Sequence, residues 1–112
     1  MPLVTIYTSS KENVNALKSI LPQLRKCIAE ELTCGDRTIQ PEEVSIKVLV
    51  PSAELSIADI EVIIMAYSYP QRVKKQDEIC LKVKEFISSQ NPSFNSVFVW
   101  LQLSELGHSV EE

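Results

Sequence analysis

The feature that most constrains this chain is the order of its apolar runs, whose period passes from two to 3.6 and back, twice. Strand-like runs occupy residues 2–8, 44–50, 60–67 and 96–103. Between the first two lies a helical stripe of Val14, Leu17, Leu21, Leu24, Ile28 and Leu32. Between the last two lies a second, of Val73, Ile79, Cys80, Val83, Phe86 and Ile87. Each half is therefore a β-α-β unit, about 2–50 and 60–103, with 51–56 joining them. A helix that crosses over between two strands implies parallel pairing within each half, wound right-handed. The predicted fold is α+β: one domain spanning 1–112, with a four-stranded mixed sheet and two helices on one face. A chain of 112 residues buries enough surface to fold without disulfides or metals.

Punctuation residues refine this outline. Ser9 and Glu12 hold the spacing of a capping box, placing the first helix start near Ser10. Pro22 removes a hydrogen bond to the carbonyl of Lys18, so a kink or a broken and restarted helix is expected there. Gly35 is the expected stop, and the second helix is opened by Ser68 and Pro70 and closed by Asn91 and Pro92. The last strand is apolar on both faces, with Val97, Val99, Leu101 and Leu103 on one side and Phe98 and Trp100 on the other. Two helices cover one face only. The other should be buried against copies of the same chain in a symmetric homo-oligomer.

Several function classes are disfavoured. The net charge is −4 with the basic residues dispersed, which argues against nucleic acid or an anionic membrane surface. No apolar run approaches the ~18 residues of a membrane span, and no basic-then-apolar leader opens the chain. Cys27, Cys34 and Cys80 fall in helix-like segments and read as reduced thiols of a cytoplasmic protein. His108 is the one histidine, so no metal site is expected.

Residue 2 is a candidate for chemistry. An initiating methionine before proline is normally trimmed, which here leaves a secondary amine at the head of a strand. That amine is a strong base with no side-chain counterpart, and an apolar site with nearby cations draws its pKa toward neutrality. The plain alternative is a tolerated strand start.

A Met-Pro start on a strand, followed by two β-α-β units of this length, resembles the tautomerase superfamily over nearly the whole chain. Length and the closing run VFVWLQLSEL look most like its 5-carboxymethyl-2-hydroxymuconate isomerase group, then macrophage migration inhibitory factor. The resemblance implies a homotrimer with a site at each subunit boundary. It implies Pro2 as the base that carries a proton between oxygen and carbon of a small keto or enol carboxylate, with no cofactor. Lys47 then falls where the oxalocrotonate enzymes carry a substrate-contacting arginine; its other reading is a charge guarding a sheet edge. Arg72 aligns with an arginine of the hydroxymuconate isomerase group, or is an exposed cation in a first helical turn, where it opposes the helix dipole. Arg37 resembles in place a lysine of macrophage migration inhibitory factor, or is a solvated loop residue. Tyr67, with Tyr69, ends the third strand, where a phenol serves as general acid or caps the strand. Phe98 and Trp100 stand where macrophage migration inhibitory factor has tyrosine and asparagine, and read as core, interface or an aromatic wall beside Pro2.

Two other classes share this element order. A ferredoxin-like regulatory module would have no catalytic N-terminus and would tolerate an extension before Pro2. A tautomerase-like scaffold without chemistry would act through its oligomer surface.

Overall fold

Alternation sorts the strands onto two faces in the computed structural model, which describes residues 2–35, 37–52, 55, 58–94 and 96–105; His108 and part of the 51–56 joint lie outside them. Strand β1 (Leu3–Thr8) buries Val4, Ile6 and Thr8 and turns Leu3, Thr5 and Tyr7 the other way. Helix α1 (Lys11–Leu32) follows, then a 3-10 turn (Pro41–Glu43), β2 (Ser45–Leu49) and β3 (Ile60–Tyr67). Two helices, α2 (Pro70–Lys74) and α3 (Gln76–Gln90), precede β4 (Val97–Ser104). The sheet order is β2-β1-β3-β4. Each half pairs in parallel, Leu3 opposite Ser45 and Ile60 opposite Val97. The halves meet antiparallel, with Leu3 opposite Met65 and Thr8 opposite Ile60. The expected four-stranded mixed sheet under helices on one face is what forms.

The core lies between that face and the helices. Val4, Ile6, Val62 and Ile64 meet Leu17, Leu24, Ile28 and Leu32 of α1 and Ile79, Val83 and Ile87 of α3. Truncating any of these leucines or isoleucines to alanine costs about 2–5 kcal/mol through lost burial and the cavity left behind.

Four details depart from the sequence reading. Ser10, in extended conformation, caps α1 and accepts from the Asn13 N–H at 3.2 Å, so the cap sits one residue later than Ser9. Of the two outcomes expected at Pro22, the broken and restarted helix does not occur: α1 continues through it as one element. Pro22 and Lys18 both lie on its exposed side, so water can serve the carbonyl that proline leaves unpaired. The helix stops before Gly35: Thr33 turns extended, donating its N–H to Ala29 O and its hydroxyl to the same carbonyl at 2.9 Å. The second helix is split at Lys75, whose φ of −111° and ψ of 14° break the helical path. The split rotates α2 out of register with α3, so Val73 is exposed and Arg72 takes the inward position.

The opposite sheet face has no covering layer among the described residues. Register sets its rows: Lys47, Thr5, Ile63 and Trp100; Leu49, Tyr7, Glu61 and Phe98; Ser45, Leu3, Met65 and Gln102. Trp100 is 57% exposed and stacks on Phe98 at 6.2 Å between ring centroids. No helix among the described residues is long and apolar enough to cross a membrane.

Candidate active site

Pro2 immediately precedes β1, a central strand. Its carbonyl accepts the Ser45 N–H at 3.1 Å, and the residue is buried. Having no N–H, it can take this position without forfeiting a ladder bond. It lines a cavity of about 40 Å³ with Arg37, Ile39, Tyr67, Tyr69 and Arg72. Those neighbours come from the segment after α1, the end of β3 and the start of α2, so three separate stretches of chain converge on the proline.

Arg72 is the most constrained of them, at 3% exposure. Its Nε donates to the Leu32 carbonyl at 2.9 Å, across the end of α1, and its Nη1 donates to the Tyr67 carbonyl at 2.8 Å, across the end of β3. Its guanidinium carbon lies 4.8 Å from the centre of the Tyr69 ring, and the Tyr69 and Tyr67 rings are 5.0 Å apart. Burial pushes the Arg72 pKa below its ordinary value. Two carbonyls and an aromatic face offset part of that desolvation, and the group remains cationic.

Arg37 is held by its backbone and by an acid. Its N–H and carbonyl exchange hydrogen bonds with Cys34 at 3.0 and 2.9 Å, closing a tight turn. Its Nη2 meets Glu43 Oε1 at 2.5 Å and its Nη1 donates to Thr38 O at 2.9 Å. Glu43 also accepts the Gln40 N–H through Oε2 at 2.7 Å. The Gln40 N–H first, and Arg37 second, hold the Glu43 carboxyl below its usual range. Since the Arg37 side chain is 42% exposed, this is an exchangeable ion pair.

The structure thus gathers Pro2, Arg37, Tyr67 and Arg72 around one cavity. It does not bring Lys47, Phe98 or Trp100 there. These three lie on the opposite sheet face, as Thr5 and Ile63, their row neighbours, show for Lys47 and Trp100. Glu43 and Ile39 were not singled out in the sequence. The Gln40-to-Glu43 spacing of a capping box was the signal available for Glu43; Ile39 has none beyond its hydrophobicity.

No protein-family model and no curated protein matches this sequence. Solved structures do match. The macrophage migration inhibitory factor-like protein of Entamoeba histolytica aligns over 92% of this chain and 88% of its own, at 11% identity and a TM-score of 0.65. A fused 4-OT, an asymmetric trimer, covers 91% and 85% at 13% identity and a TM-score of 0.68. FG41 malonate semialdehyde decarboxylase covers 91% and 82% at 12% identity and a TM-score of 0.61. The chain shares its fold, of the tautomerase type, with these three structures.

Proposed function

We propose that the protein is a cofactor-independent tautomerase or isomerase of a small keto or enol carboxylate, with the Pro2 amine as general base once Met1 is removed. The observation that carries this reading is the company of Pro2: a buried prolyl residue sharing a cavity with two guanidinium groups and two phenols. Positive charge and low polarity both favour a neutral amine, the form that accepts a proton. The Pro2 nitrogen takes the enol O–H proton and returns it to carbon as the carbonyl forms. Positive charge at Arg72 stabilises the oxyanion of the transition state. Arg37, freed from Glu43, holds the carboxylate, and a tyrosine hydroxyl donates to the developing oxyanion. The uncovered apolar sheet face, together with the trimeric state of the fused 4-OT, supports assembly as a homotrimer. In that assembly Phe98 and Trp100 lie in the joint between copies, and Lys47 serves a neighbouring copy's site or the joint itself.

The test is turnover of a panel of 2-hydroxy-2-enoic acids by untagged protein whose mass shows Met1 gone. Pro2→Ala should lower kcat/KM about 100-fold or more, the contribution of a general base, with an unchanged unfolding midpoint. Equal turnover by wild type and Pro2→Ala sinks the proposal. The small volume of the cavity favours a second reading, a tautomerase-like oligomer without chemistry. That reading gains if trimmed wild-type protein converts none of the panel.

A further inference from the structure

Arg72 faces two spaces. Beyond the Pro2 cavity it also lines a larger cleft of about 340 Å³, between the C-terminal end of α1 and the α2–α3 junction. That volume lies at the lower end of the range of small-molecule sites.

The donors around this cleft are unevenly committed. Gln71 uses its Oε1 to accept the Gly35 N–H at 2.5 Å, which fixes the amide and leaves its Nε2 hydrogens available. Glycine permits that approach, since a Cβ at position 35 would lie 3.1 Å from Gln71 Nε2. The Thr33 hydroxyl is spent on the Ala29 carbonyl. Glu31, the acid of the lining, lies 4.0 Å from Lys82. Lys75 has no acid partner among the described residues, and Arg72 is matched by carbonyls and a ring instead of a carboxylate. The cleft therefore carries excess positive charge and an anchored amide donor.

We propose that this cleft binds the oxyanion group of a small ligand, a phosphate or a carboxylate, between Lys75, Gln71 and the buried Arg72 guanidinium. Lys75 supplies a mobile ammonium that can follow the ligand, Gln71 a directional N–H, and Arg72 a charge whose position the fold sets. The site stands on residues other than Pro2 and does not depend on the tautomerase reading.

Full-length nitrogen-15-labelled protein is titrated with inorganic phosphate and, separately, with acetate, at constant ionic strength, while amide shifts are followed. The expected result is saturable shifts at the Gly35 N–H and the Gln71 side-chain amide with one or both anions; which anion saturates at lower concentration identifies the preferred oxyanion. Lys75→Ala and Gln71→Ala should each weaken binding about fivefold or more. Lys74→Ala, an exposed neighbour outside the cleft lining, should leave it unchanged. Lys75 and Gln71 are exposed, so their variants keep the fold, which the remaining amide shifts report. Shifts that rise linearly with both anions, or fall alike in the Lys74 and Lys75 variants, overturn the site.

Discussion

Replacing Arg72 with methionine separates its structural part from its charge. Methionine keeps the unbranched stem and fills similar space, but the Leu32 and Tyr67 carbonyls lose their donors. Two charge-assisted hydrogen bonds contribute about 1.5–3 kcal/mol each, and the contact with Tyr69 about 0.5–2 kcal/mol. Against this, a methionine escapes the desolvation of a buried cation, which returns a few kcal/mol. The net loss should be about 3 kcal/mol, roughly a hundredfold in the unfolding equilibrium constant. Urea denaturation followed by far-UV circular dichroism at one fixed protein concentration measures it. Arg37→Met is the control, because that side chain is partly exposed and its ion pair with Glu43 exchanges readily with water. If the two variants lose the same stability, Arg72 does not tie α1 to β3, and the reasoning fails. Arg72→Lys should recover at most half the loss, since an ammonium on a shorter reach cannot serve both carbonyls in the fork's geometry.

Other consequences can be checked as simply. Among the described residues the buried Thr8 hydroxyl has no hydrogen-bond partner, so Thr8→Val should raise stability by about 1 kcal/mol in the same denaturation assay; a loss would reveal a partner for that oxygen. Burial, then Glu31 and Glu30, push the Cys27 thiol up to about 11 from 9.0. At about pH 8 the folded protein should therefore alkylate Cys27 roughly a hundredfold more slowly than the urea-unfolded chain, read by mass spectrometry, and equal rates would refute the shift. Glu43 has a lowered folded pKa, so its ionised form contributes stability above the unfolded value of 4.5, lost as pH falls through the folded one. Glu43→Gln should flatten the fall of the urea midpoint below about pH 4.5, and a steeper fall would contradict the assignment.

Period and crossover logic were enough to read the sheet, its strand directions and the helix-covered face, because each depends on patterns repeated over many residues. Strand β3 was read to the residue, and the others within one position. What escaped depends on single residues. The stripe through Val73 ignored a helix break at Lys75, a residue with no breaker chemistry of its own. The cap fell on Ser10 because two adjacent serines offer the same oxygen, and backbone geometry selects one. In the site, Pro2, Arg37, Tyr67 and Arg72 converge because they stand at the ends of elements, where chain direction alone places them. Lys47 needed the β1–β2 register: one residue of slip would turn it to the other face, and no local signal in VSIKVLV specifies that slip.

The central position of β1 also has a consequence for the order in which the molecule can assemble. Strand β1, made before the other three, is flanked by β2 and β3, and its pairing of Leu3 with Met65 spans more than half of the 112 residues. A ribosome adding ~5–20 residues per second must run for several seconds after Pro2 emerges before Tyr67 and Arg72 exist. Until then β1 lacks its β3 partner and Pro2 has no lid of Tyr67, Tyr69 and Arg72 over it. The enclosure of Pro2 is thus a late event of biosynthesis, completed only when the second half has been made.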